Sequence, residues 1–167
     1  MRLNNLWYGI LLFLISVNAI ACKKQTVPSV SVANNRGNTV STSMVKDILM
    51  YVNEHRKSVG LPALQLIDAA TTESVKHSAD MAFRRLPFGH DGFDDRMNTI
   101  SKNIGQVSAM AENVAYGHLD AKAVVELWIN SPGHKKNMEG NYNLTGIGLA
   151  QTKDGTIYFT QIFIRKQ

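Results

Sequence analysis

The chain predicts an α+β fold in which helices pack on an antiparallel sheet. Apolar residues recur at helical spacing in the first half, and the last stretch before the C-terminus reads as two strands. Between those strands lies Lys153-Asp154-Gly155, whose Asp-Gly pair signals a tight hairpin. Helices that come first and paired strands that come last point to segregated elements, not to alternating βαβ units. The 167 residues, 44% of them hydrophobic, suit one compact domain.

Taken in order, the first helix is expected over about 44–59. Val45, Ile48, Leu49 and Val52 form one face, Thr42 or Ser43 can cap the start, and Gly60 ends it. Pro62 holds the following residues extended, with Leu61, Leu64 and Leu66 as packing groups. A second helix is expected from Asp68 to about Arg85, with Thr71, Val75, Ser78, Ala79 and Ala82 as a small-residue face. Pro87 stops it, and the glycines of 88–93 mark a loop. A short third helix over 94–104 turns Met97 and Ile100 inward. Residues 107–116 read as extended, and Asp120 caps a fourth helix whose Ala123, Val124, Leu127 and Trp128 face the core. That helix breaks at Pro132-Gly133, and the strands of the hairpin follow over 145–151 and 156–164.

The amino terminus sets the compartment. Arg2 precedes an apolar run over 6–15, shorter than the roughly 20 residues a membrane-spanning helix needs. Small residues then lead to Ala19-Ile20-Ala21-Cys22, which reads as an export signal. The single cysteine directly after it resembles a bacterial lipobox, in which Cys22 is lipidated, although Ala19 stands where leucine is usual. The alternative is a plain signal peptide cleaved after Ala21. The expected organisation is a lipoprotein signal over 1–22, a flexible tether over 23–43 and a domain over 44–167. Val30-Ser31-Val32 is the alternative to coil within the tether, as a short edge strand. A lipid anchor at Cys22 makes the membrane the expected partner. One cysteine excludes a disulfide framework. A net charge of +5 without a run of like charges excludes a nucleic-acid arm.

The residues with chemistry to offer are His90, Glu112 and His134, each beside a small or turn-forming residue (Gly89, Asn113, Gly133). Two imidazoles and a carboxylate are a donor set for a transition metal such as Zn²⁺, and neutral imidazoles also serve as bases near pH 7. Spacing alone does not join them, because no compact motif places two ligands on one helical face. His55 and His77, within helices, read as surface or satisfied core groups, and His118 as a loop residue. No Gly-x-Ser-x-Gly occurs, and Cys22 lies outside the domain, so a covalent nucleophile is lacking.

Several segments together resemble the CAP superfamily, also called the SCP domain, over about 44–165. They are Asn53-x-x-Arg56, Gly60-Leu61-Pro62-x-Leu64, His77-Ser78-Ala79-Asp80-Met81, Gly89-His90 and Ala111-Glu112-Asn113-Val114-Ala115. Trp128-Ile129-Asn130-Ser131-Pro132-Gly133-His134-Lys135-Lys136-Asn137, Gly146-Ile147-Gly148 and Tyr158-Phe159-Thr160-Gln161 complete the set. The resemblance, to a bacterial branch without domain cysteines, implies an α-β-α sandwich with a cavity lined by two histidines and two acids. His90, His134 and Glu112 match three of these. Ser131 stands where animal and plant members carry the second acid, which leaves Glu126 or Glu139 as substitutes. The implied function is an envelope-anchored binding module for a divalent metal, a lipid or another small ligand. The alternative is a hydrolase in which His90 and His134 hold zinc and Glu112 is the general base.

Overall fold

The structure, a computed structural model, describes residues 35–167, with side-chain surroundings from Thr42 onward. The export signal, Cys22, the possible strand at Val30–Val32 and residues 23–34 of the expected tether lie outside the described residues.

Helix α1 (Asn35–Ser58) begins earlier than the apolar pattern, which starts near Met44, so its first turns fall in the stretch expected to be tether. Ile48 and Val52 are fully buried on the face the sequence marks, with Val45 and Leu49 packed beside them. Arg56 is also fully buried on α1. Its guanidinium donates to the carbonyls of Pro62, Met138, Gly140 and Tyr142, at 2.9, 2.7, 3.0 and 3.1 Å. That one side chain therefore ties α1 to two loops and satisfies backbone acceptors that would otherwise be buried unpaired.

Strand β1 (Gln65–Leu66) leads into α2 (Asp68–Ala82), then α3 (Phe93–Ile104), β2 (Val107–Gly117), α4 (Ala121–Ile129) and α5 (Pro132–Met138). The hairpin β3 (Leu144–Gln151) and β4 (Ile157–Lys166) closes the chain. The strands form one sheet in the order β1-β3-β4-β2. β3, β4 and β2 pair antiparallel as expected. β1 pairs parallel to β3, so the sheet is mixed and not purely antiparallel. The chain reaches β3 from β1 through four helices and β2, and such a crossover, unlike a hairpin, permits parallel pairing.

Alternation along β4 divides the core. Phe159 and Phe163 join Ile48, Val52, Val124, Trp128 and Met138 on the α1/α4/α5 side, while Ile162 and Ile164 join Ala70 and Ile100 on the α2/α3 side. Helices thus cover both faces of the sheet. On the α2 side, Gly146 and Gly148 let the helix lie directly on β3. A Cβ at these positions would stand 2.2 Å from the Ala70 backbone and 2.1 Å from the Ser74 backbone.

Three local expectations shift. α2 ends at Ala82, and its buried face is Ala70, Ser74, His77, Ser78, Met81 and Ala82, whereas Val75 is exposed. In α4 the buried set is Ala121, Val124, Val125 and Trp128, and Leu127 points outward. Asp120 caps α4 as expected, accepting from the Ala123 N–H at 2.8 Å. The break at Pro132-Gly133 opens a further short helix, α5, with Ser131 at the N-cap position and proline at its start, where a missing N–H costs nothing.

Candidate functional site

Glu112 organises the site. It lies on β2, an edge strand, opposite Ile162 of β4, and therefore faces the α2/α3 layer. Its side chain is only 2% exposed. Arg96, buried on α3, meets it with two parallel bonds, Nε to Oε2 at 2.9 Å and Nη2 to Oε1 at 2.8 Å. This bidentate geometry is the strong form of a carboxylate–guanidinium contact. The third Arg96 nitrogen donates to the Asp91 carbonyl at 2.8 Å, so the arginine also holds the loop that carries His90.

His90 Nδ1 lies 2.9 Å from Glu112 Oε1. Facing a carboxylate, Nδ1 is the protonated nitrogen, which leaves Nε2 as the lone-pair nitrogen of the neutral ring. The His90 side chain is 54% exposed. It is oriented from behind by an acid and open in front, the arrangement by which a second-layer carboxylate fixes a ligating imidazole.

His134 approaches from α5. The Asn113 side chain, on the opposite face of β2 from Glu112, donates to the His134 carbonyl at 3.1 Å. Asn137 donates to Asn113 Oδ1 at 2.9 Å and to the Glu112 carbonyl at 3.1 Å. These two amides staple α5 to the edge strand at Glu112. His134 Nδ1 is buried with no hydrogen-bond partner among the described residues. Burial, and then the nearby His90, hold the His134 imidazole below the ordinary histidine range. The His134 backbone is thus held against β2, and its imidazole is held neutral near pH 7.

His77 and Arg96 belong to the same network. His77 is a buried core histidine whose Nε2 lies 2.9 Å from the Gly89 carbonyl and 3.7 Å from Glu112 Oε1. Burial lowers its basicity, the Gly89 carbonyl and Glu112 oppose this, and Arg96 and His90 add to it. Arg96 had a sequence signal, since it precedes the inward-facing Ile100 by one helical turn.

The substitutes for a second acid lie elsewhere. Glu126 is 58% exposed on α4, sits 3.7 Å from Lys122 and borders a recess lined by Tyr51 and His55. Glu139 lies 2.9 Å from His55 Nε2. Ser131 is the N-cap position of α5 and supplies no carboxylate. Among the described residues no group of three or more His, Cys, Asp or Glu side chains could hold a metal ion.

Helices on both faces of a four-stranded sheet, with a Glu-held histidine at its edge strand, define a CAP domain. The cysteine-rich secretory protein family model, CAP, matches residues 49–163, and the chain belongs to that family. Curated relatives are bacterial. The uncharacterized membrane protein YlbC of Bacillus subtilis is 28% identical over 81% of this chain and 38% of its own length. YkwD of the same organism is 32% identical over 72% of this chain and 47% of its own length. The chain thus spans less than half of either relative. Among solved structures, an extracellular SCP-domain protein from Bacillus anthracis matches with a TM-score of 0.65 at 28% identity, over 77% of this chain and 42% of that one. An outer surface protein of Borrelia burgdorferi matches with a TM-score of 0.63 at 22% identity, over 75% and 94%, a likeness of fold alone.

Proposed function

We propose that this protein is an exported, envelope-anchored binding module whose His90 and His134 imidazoles engage a ligand that accepts nitrogen donors, a divalent transition metal being the simplest. The observation that carries this reading is the state of Glu112. Both of its oxygens are engaged by Arg96, and Oε1 also by His90. Protonating it would sacrifice charge-assisted bonds, so it serves as an orienting group for His90 and not as the base of a hydrolytic step. Two imidazole donors suit an ion whose remaining sites are filled by water or by a ligand's own donors.

Export and anchoring rest on the Ala19-Ile20-Ala21-Cys22 segment, and they agree with one relative described as a membrane protein and one as extracellular. No helix among the described residues is long and apolar enough to cross a membrane. The proposed means of attachment is a lipid anchor at Cys22, the cysteine that follows Ala19-Ile20-Ala21.

Calorimetric titration of the full chain in nonionic detergent with Zn²⁺ tests the site. One-to-one binding that is lost in both His90→Ala and His134→Ala is expected. A flat titration of the wild type would refute the metal reading. Cys22→Ala is expected to release the protein from membranes, and unchanged retention would refute the anchor. An ester-hydrolysis activity that disappears in Glu112→Gln would restore the enzyme.

A further inference from the structure

A second surface, on the same face of β2 as Glu112, has the makings of a separate binding site. Tyr116 lies four residues beyond Glu112, about 13 Å along the strand. It stacks on Tyr158 of β4 at 5.4 Å between ring centroids, with the planes 16° apart, and Phe88 meets it edge-on at 4.8 Å. Phe83, Phe88 and Tyr116 are all exposed, at 57, 48 and 54%. Aromatic rings left in water as a contiguous shelf mark a recognition surface more often than isolated exposed residues do.

The shelf borders a recess of about 490 Å³ whose wall includes Phe83, Arg84, Thr152, Lys153, Thr156 and Tyr158. Arg84 is the one described residue other than glycine with a positive φ, at 56°, a conformation uncommon for a residue with a side chain. Among the described residues neither Arg84 nor Lys153 takes part in an ion pair. Asp154, the acid at this rim, is engaged by the hydroxyls of Thr152 and Thr156. The recess thus combines ring faces, hydroxyl groups and two cations free to meet an external anion.

We propose that this recess binds a strand of acidic polysaccharide. A sugar ring has an apolar C–H face that packs on an aromatic ring and a hydroxylated edge that needs hydrogen-bond partners. Exposed Tyr116 offers the first, and the phenol groups, with the Thr152 and Thr156 oxygens as acceptors, offer the second. A carboxylate on the sugar pairs with Arg84, whose fork geometry matches it, and with Lys153. The recess is concave and rimmed with hydroxyls, which fits a chain of rings better than the flat surface of a bilayer. Although Phe88 lies two residues before His90, the recess does not include His90 or His134, and its test does not depend on zinc.

The test is calorimetry on the full chain in nonionic detergent. The ligands are hexagalacturonate, with a carboxylate on each ring, and the neutral hexamer of N-acetylglucosamine. Binding of hexagalacturonate at least tenfold tighter than of the neutral hexamer is expected. Tyr116→Ala should weaken binding at least tenfold, Tyr116→Phe should retain most of it, and Arg84→Gln with Lys153→Gln should remove the preference for the acid. Circular dichroism checks the fold of each variant. If Tyr116→Ala unfolds, the exposed pair Arg84→Gln/Lys153→Gln decides, because those side chains hold no part of the core. No binding of either hexamer overturns the proposal, as does binding indifferent to the aromatic and cationic changes. Phosphatidylglycerol added to the micelles serves as the alternative ligand. If it binds through the same residues while the hexamers do not, the surface is a lipid site and the proposal fails.

Discussion

Replacing Arg96 with methionine tests the most heavily bonded contact of the site. The substitution keeps an unbranched stem but removes the guanidinium from a carboxylate whose side chain is 2% exposed. Glu112 would lose both Arg96 bonds and keep the His90 hydrogen bond and the more distant His77. Breaking a buried pair on one side costs about 3–5 kcal/mol, because the surviving charge stays buried without compensation. The Asp91 carbonyl loses its 2.8 Å donor as well, worth about 1–2 kcal/mol if it remains out of water. Arg96→Met should therefore destabilise the protein by about 4–7 kcal/mol in urea unfolding. Glu112→Gln removes the charge from the other side, so Arg96→Met/Glu112→Gln should be less destabilised than the sum of the single variants by at least about 2 kcal/mol. A single variant costing under about 1 kcal/mol, or strict additivity in the cycle, would show that the pair does not hold the site together.

Other perturbations address the frame and its titration. Gly148→Ala drives a Cβ to 2.1 Å from the Ser74 backbone, so a loss of about 2–3 kcal/mol in urea unfolding is expected, and a stability unchanged from wild type would mean that α2 does not lie on β3 at this distance. Asn137→Ala removes the amide that joins α5 to Asn113 and to the Glu112 carbonyl. It should cost about 1–3 kcal/mol and weaken zinc binding through displacement of His134, whereas intact zinc affinity would show that the staple does not position the ring. His77 and His134 are both held below the ordinary histidine range by burial. The unfolded chain therefore takes up their protons first. Stability from these groups is complete above about pH 6.5 and falls as pH drops from there toward the lowered folded values. His77→Gln, which can still donate to the Gly89 carbonyl, should flatten that acid limb in urea midpoints measured from pH 7.5 to 5, and an identical slope would remove His77 as a source.

Much of this architecture is legible because helical apolar spacing and hairpin chemistry are local signals. Ile48 and Val52 on α1, the Asp120 cap and the Asp154-Gly155 turn need no knowledge of the rest of the fold. The readings that shifted depend on neighbours. The α4 face turns toward Val125 and away from Leu127 because α1 packs against it. The α2 face turns toward Ser74 and Ser78 because glycines on β3 admit the helix backbone. The parallel pairing of β1 depends on two residues, too few to carry a pattern. In the site, His90 and Glu112 were legible through the family resemblance and meet at 2.9 Å. Arg96 carries only the weak signal of standing one turn before Ile100, and His77 reads from sequence as a surface or satisfied core histidine, since neither has a local mark that says a buried carboxylate waits opposite. The same ambiguity left Glu126 and Glu139 as candidates until Lys122 and His55 emerged as their partners.

The central claim, that Glu112 orients His90 while His90 and His134 together face a ligand, is tested most directly by imidazole-selective nitrogen NMR of the full chain during Zn²⁺ titration. The His90 ring should show a protonated Nδ1 before zinc is added. The His90 and His134 ring nitrogens should then shift together at one equivalent, with His77 retaining its hydrogen-bonded Nε2. Protonation of His90 at Nε2 instead, or zinc shifts confined to one ring or to neither, would contradict the account.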